Sequence, residues 1–190
     1  SPGVEVKPIK NMAGDKHFAE IFFTDVQVPV ENRLGAEGEG WKVTVSALAN
    51  ERSSIGEVTQ MFSKLDELKD LVKSTRVQGK PAAEDPTVRR QLARFETKIA
   101  AMKYNGLRYL TKQIKGEPLS SETSVNKLHR ASLEIEMDDF AVSLSGEAGL
   151  QLKGGENAVG GGSWSKSALN WPNVVIGGGT PNIQRNIIAE

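Results

Sequence analysis

The sequence predicts a mainly α chain: an antiparallel four-helix bundle with a short β remnant at its N-terminus. Three observations predict it. Apolar residues recur at spacings of three, four and seven through three long stretches between Glu39 and Gly146, the mark of helices with one buried stripe. The first 35 residues are instead rich in aromatic and β-branched residues around a glycine-bearing turn, as strands are. Connections between the helical stretches are short, which makes sequential helices antiparallel neighbours. The pattern switches at Gly38, giving a β segment over 1–37 and a helical domain over 38–190.

Val4 to Lys7 alternates, and Phe18 to Val28 forms a second strand-like run closed by Pro29, with Asn11 to Asp15 as the turn between them. Two strands alone are not stable, so they are expected to pack on the helices or on sequence outside the chain. The first helix is expected from about Glu39 to Lys73, with Trp41, Val45, Leu48, Ile55, Val58, Phe62, Leu65 and Val72 as its buried stripe. Gly79-Lys80-Pro81 breaks it. Asp85-Pro86 reads as an N-cap followed by proline at the first helical position. Behind it Val88, Leu92, Phe95, Ile99, Met102, Gly106 and Tyr109 make a second stripe, ending near Gly116. A third helix starts around Ser121 and carries Val125, Leu128, Ile135 and Val142 before Gly146. Residues 154–179 hold too many glycines for a helix and too few apolar positions for a strand, with Trp164 and Trp171 set between them. Thr180-Pro181 then opens a final helix whose buried side is expected to be Ile183, Ile187 and Ile188.

Composition excludes several functions. Lys plus Arg equals Asp plus Glu at 24 each, so no net field calls for nucleic acid or an anionic membrane. No run approaches the ~18 consecutive apolar residues of a membrane span. Without cysteine there is no disulfide, thiolate metal site or cysteine nucleophile. His17 and His129 lie far apart in sequence, so no metal site is expected. Ser1-Pro2-Gly3-Val4 opens directly in strand-like sequence, and Ile187 to Glu190 stops inside a helix-like run without a C-cap signal. The chain therefore reads as a fragment of a larger protein.

Two places carry candidate chemistry. At about 100° per residue, Glu51 falls inside the first apolar stripe, between Leu48 and Ile55. Its neighbours one turn away are Ala47, Leu48, Ser54 and Ile55, none of them a cation. An unpaired carboxylate in apolar surroundings holds its proton more tightly, which suits a general base near neutral pH. The alternative is a stripe-edge glutamate that bends to water or meets a cation from another helix. The second place is Gly177-Gly178-Gly179 ahead of the Thr180 cap. Glycines there let backbone amides approach a ligand closely, and a helix N-terminus favours an anion or polarised oxygen; the alternative is a plain flexible loop.

Three passages together resemble the C-terminal part of an acyl-CoA dehydrogenase: Phe22 to Gly35 followed by Gly38-Glu39-Gly40-Trp41, then Leu48-Ala49-Asn50-Glu51-Arg52, then Ile176 to Glu190. The resemblance implies that 1–37 are the terminal strands of a middle β-domain and 38–190 the C-terminal bundle. It implies FAD as cofactor, an acyl-CoA substrate, and electron-transferring flavoprotein as electron acceptor. Family members place the catalytic glutamate either just before Gly-Thr in the closing signature, which is Gly178 here, or before an arginine in the first bundle helix, which is Glu51. By the same matching Arg52, Gly178 and Gly179 lie at the acyl site, Thr180 and Asn182 touch FAD, and Gly146 contacts the cofactor of a neighbouring subunit. Two departures stand out. The paired glycines expected at Gly146 read Gly146-Glu147, and where many members carry, a few residues before Phe-Gly, an arginine that binds FAD phosphates across the dimer, Ser74 to Gly79 has neither the Phe nor an arginine in register. The implied assembly is a homo- or hetero-tetramer in a bacterial cytoplasm, or a mitochondrial matrix if eukaryotic. A catalytically silent subunit of a mixed tetramer, and an oxidase sharing the same machinery, are the competing readings.

Overall fold

The computed structural model describes residues 2–51, 55–117 and 121–190, with side chains described for all of these except 48–51, 55–57 and 122. The chain divides into two compact units, Ser1–Glu51 and Arg52–Glu190.

In the first unit β1 (Val4–Ile9) and β2 (Phe18–Phe23) pair antiparallel, with Val4 opposite Phe23 and Ile9 opposite Phe18. The Asn11 side chain closes the turn by accepting from the Asp15 N–H at 2.9 Å. β2 stops at Phe23, short of the expected Val28, because Asp25 takes a positive φ of 49° and leaves the extended region. A 3-10 turn at Val30–Asn32 leads to α1 (Gly40–Glu51). No described residue of this unit is buried. Trp41 is 79% exposed and Val45 is exposed too, so the expected stripe is not buried at this end. One ribbon and one helix offer too little apolar surface to make a core of their own.

The second unit begins with α2 (Ile55–Ser74). The single helix expected over 39–73 is described as α1 and α2, and residues 52–54 lie outside the described residues. The break at Gly79 is a two-residue hairpin joining β3 (Arg76–Val77) to β4 (Lys80–Pro81). Gln78 and Gly79 have φ of 50° and 79°, the left-handed pair that matches strand twist in tight hairpins. α3 (Pro86–Ile114) starts as expected: Asp85 Oδ1 accepts from the N–H groups of Thr87 (2.7 Å) and Val88 (3.3 Å), and Pro86 occupies the first turn. α4 (Glu122–Ser145) ends at Gly146, whose φ is 57°. Residues 154–179 are more ordered than their glycine content suggests. They contain a 3-10 turn (Val159–Gly162), α5 (Ser163–Leu169) and α6 (Trp171–Ile176), before α7 (Pro181–Ala189). Among the described residues no helix is long and apolar enough to cross a membrane.

The three long helices α2, α3 and α4 pack on one another, and the short helices α5, α6 and α7 pack along α4. Among the described residues the second unit thus has three long helices and three short ones, so the expected count of four is approximate. The core is Val58, Met61, Leu65, Leu68 and Leu71 from α2, Phe95, Ile99 and Met102 from α3, Leu133, Met137 and Ala141 from α4, and Trp164 from α5. Phe95 meets Phe140 edge to face at 5.7 Å. The α3 stripe is buried as expected, apart from a half-buried Leu92. The α4 stripe is not: Val125, Leu128, Ile135 and Val142 are only half-buried, whereas Ser124, Asn126, Ala131, Leu133, Met137, Asp138 and Ala141 are buried. With neighbours on several sides, α4 has no single apolar face for a periodicity to reveal.

One polar cluster sits within this packing. Lys64 of α2 reaches Asp138 at 2.8 Å and Glu134 at 3.6 Å, and donates to Ser167 Oγ of α5 at 2.9 Å. Ser167 in turn donates to Asp138 Oδ2 at 2.8 Å. Burial pushes the Asp138 carboxyl above its ordinary 3.8; Lys64 and Ser167 pull it down, but by less.

Truncating Phe95 to alanine should cost about 3–5 kcal/mol of stability, as for other fully buried aromatics, whereas Asp85→Ala should cost about 1 kcal/mol through the lost cap; urea unfolding separates the two. The Asp138 carboxyl binds its proton more tightly folded than unfolded, so its contribution to stability falls as pH rises from about 3.8 through the raised value. The stability difference between wild type and Asp138→Asn should therefore decline over that window and then level off. A difference that grows with pH would mean the Lys64 attraction outweighs burial.

Candidate functional site at the start of the last helix

Four of the seven expected site residues come together where α6 turns into α7. Gly177 ends α6, its N–H donating to Asn173 O at 2.9 Å, and the Gly179 N–H donates back to Ile176 O at 3.1 Å. Gly178 and Gly179 have φ of 70° and 99°, the left-handed region where only glycine is at ease. Thr180 caps α7: its Oγ1 accepts from the Ile183 N–H at 3.4 Å and its carbonyl from the Gln184 N–H at 2.9 Å. Asn182 is exposed in the first turn, its Oδ1 accepting from Arg185 Nη1 at 3.1 Å. The cap and first-turn proline of α7 are as the sequence indicates.

Two residues that sequence reasoning passed over hold this turn in place. Gln184 of α7 is 0% exposed. Its Nε2 donates to the carbonyls of Gly178 at 2.8 Å and Gly179 at 3.3 Å. A Cβ on Gly179 would lie 2.6 Å from that nitrogen, so glycine makes room for the amide as well as for the backbone angle. Lys127 of α4 donates to Val174 O at 2.9 Å and Val175 O at 3.5 Å, neutralising carbonyls at the end of α6. The fully buried residue of α7 is thus Gln184; of the expected isoleucines Ile187 is half-buried, while Ile183 is 48% exposed and Ile188 is also exposed. Sequence periodicity favoured the isoleucines because it scores apolarity. The signal for Gln184 was different: a long amide donor one turn after two glycines whose carbonyls need partners.

The other expected residues lie apart. Gly146 is exposed at the far end of α4 from Lys127, about 28 Å along the helix at 1.5 Å per residue. It does not join the turn within this chain. Glu51 is the last residue of α1, but its side chain, like all of Arg52, lies outside the described residues.

The turn can offer a ligand the Thr180 hydroxyl, the Asn182 amide and the partial positive charge of a nine-residue helix. That donor set suits an acceptor-rich, anionic or hydroxylated group.

Comparisons with known proteins agree with this architecture. The family model described as "Acyl-CoA dehydrogenase, C-terminal domain" matches residues 38–190. Acyl-CoA dehydrogenase IpdE1 of Mycolicibacterium smegmatis is 34% identical over 100% of this chain and 45% of its own length. The protein of the same name from Mycobacterium tuberculosis is 31% identical over 100% of the chain and 47% of its own. Among solved structures, the ChsE4-ChsE5 complex from Mycobacterium tuberculosis superposes with a TM-score of 0.84 at 26% identity, over 99% of this chain and 48% of that one. An acyl-CoA dehydrogenase from Geobacillus kaustophilus gives 0.81 at 26% identity, over 100% and 49%. The chain thus spans about half the length of the curated relatives it matches. By the family match across its whole helical part, the chain belongs to the acyl-CoA dehydrogenase family, in its C-terminal domain.

Proposed function

We propose that the chain is part of a flavin-dependent acyl-CoA dehydrogenase that introduces an α,β double bond into an acyl-CoA thioester, with Glu51 as the base. Residues 1–37 are read as the last strands of the middle β-domain and 38–190 as the bundle. The observation that carries the reading is the backbone at Gly178. This is the closing-signature position where some members of the family hold the base. Here its φ of 70° disfavours any side chain. A glutamate there would be strained, which supports the other family position, Glu51, next to Arg52.

On this reading the Glu51 carboxylate takes the proton from the carbon α to the thioester, and the electrons of that C–H bond become the new double bond as the β carbon gives up hydride. FAD, when bound, supplies the acceptor for that hydride. Arg52, Gly178 and Gly179 border the acyl group, the two glycines without side chains to crowd it. Thr180 and Asn182 would hold the cofactor with hydroxyl and amide donors, a set whose chemistry fits FAD's ribityl hydroxyls and phosphates. Electron-transferring flavoprotein is the partner proposed to take the reducing equivalents, and the bacterial relatives favour a bacterial cytoplasm.

A second reading is favoured by the ribbon after α2. The arginine nearest the place where the family grips FAD phosphates across the dimer is Arg76, and its Nε donates to Gly79 O at 3.0 Å, within its own hairpin. Such a site would lean on a partner subunit, and the structural likeness to a complex of two named chains is in keeping with a mixed tetramer. In the extreme case this chain is a silent structural subunit.

In the full-length protein, with any partner it requires, Glu51→Gln should keep its flavin and lose about 10²–10⁴-fold in turnover, the range for a general base. Near-normal turnover would remove Glu51 from the role. Flavin per tetramer decides between the readings: a full complement supports an active subunit, and half a complement a silent one.

A further inference from the structure

We infer that Gln184 is a positioning residue for the flavin end of the site, setting which way the peptide before Thr180 faces. This rests on the dehydrogenase reading above. Both carbonyls on which Gln184 Nε2 closes belong to peptides that lead into the cap: Gly178 O at 2.8 Å and Gly179 O at 3.3 Å. In a trans peptide the C=O and the following N–H point in opposite directions, and the chain has no cis bonds among its described residues. Turning the Gly178 carbonyl inward sends the Gly179 N–H the other way, where it meets Ile176 O at 3.1 Å. Turning the Gly179 carbonyl inward likewise sends the Thr180 N–H outward, on the side where α7 presents its N-terminal donors. Two consecutive left-handed glycines, at φ of 70° and 99°, would otherwise permit several peptide orientations at little cost. Gln184 selects one of them.

The side chain is specific to this task. It is fully buried, and its Oε1 has no hydrogen-bond partner among the described residues. A glutamine leaves an acceptor unpaired in the interior only at some cost, and here the two donated bonds are what it gives in return. An apolar residue of the same length would fill the space with no orphan but would leave both carbonyls unrestrained. Lys127 fixes the other side of the turn through Val174 O and Val175 O, so the segment is held at both ends and Gln184 governs only its last two peptides.

The test compares Gln184→Met and Gln184→Glu in the full-length holoenzyme, reading flavin dissociation constant, flavin absorption spectrum and hydrogen exchange at the Thr180 amide. Both variants keep the length of the side chain. Circular dichroism and tetramer size establish that each folds and assembles. The Met variant should bind flavin about tenfold or more weakly, with a shifted flavin spectrum and faster exchange at Thr180. The Glu variant should behave likewise at neutral pH, where a carboxylate repels both carbonyls, and should recover affinity as pH falls and the acid regains a donor hydrogen. A merely space-filling role predicts no such pH rescue. A folded Met variant with wild-type flavin affinity and spectrum overturns the inference, as does a Glu variant indifferent to pH. If neither variant folds, Thr180 exchange and flavin affinity in Gly179→Ala decide: faster exchange with weaker binding supports the inference, and unchanged values, although the new methyl must displace the amide, overturn it. Failure of the wild-type enzyme to reduce its flavin with any acyl-CoA would instead sink the underlying reading, leaving the role of Gln184 in flavin affinity still measurable.

Discussion

The second unit depends on one constraint: three polar side chains that α4 carries toward the interior, Asn126, Lys127 and Asp138, find their partners on neighbouring helices. Asn126 donates to Met102 O and accepts from Asn105, both on α3. Lys127 serves the end of α6. Asp138 meets Lys64 of α2 and Ser167 of α5. Apolar packing tolerates repacking at modest cost, whereas an unmade buried hydrogen bond loses the full desolvation of its group. These pairings therefore fix the register and rotation of α4 against four elements at once. The greasy contacts of Phe95, Leu65 and Met137 supply the bulk of the driving force, and the polar ones choose among arrangements of similar burial.

The turn before α7 inherits its precision from that frame. It is anchored from α4 by Lys127 and from α7 by Gln184, and α4 also packs against α7. A loop of three glycines would be a poor platform for binding anything by itself. Bracketed between two donors from regular helices, it becomes a fixed arrangement of backbone groups.

How far the sequence disclosed this depends on which physical signal each part carries. Helix α3 was legible end to end, because a local cap at Asp85 and a one-sided apolar stripe both write themselves into short-range spacing. The opening of α7 was legible for the same reason at Thr180 and Pro181. Helix α4 is legible but its buried arc is not, since Ser124, Asn126 and Asp138 are buried although polar, the last two through partners on other helices. Helices α5 and α6 leave no mark in the sequence pattern because seven and six residues beside glycines are too few for a periodicity; the anchor is Trp164 in the shared core, a tertiary fact. At the site, the glycine turn was visible in sequence while its clamp was not. Gly146 stands at the other end of α4, away from that turn.

The left-handed backbone at Gly178 bears on how such a site can be changed. On the proposed reading the base sits on one helix, and the alternative position lies on a turn whose handedness suits glycine. A residue with a side chain there would cost about 1–2 kcal/mol in the same backbone. Transplanting the carboxylate to Gly178 is therefore expected to cost fold stability as well as chemistry, so relocating the base by a single substitution is a poor engineering route.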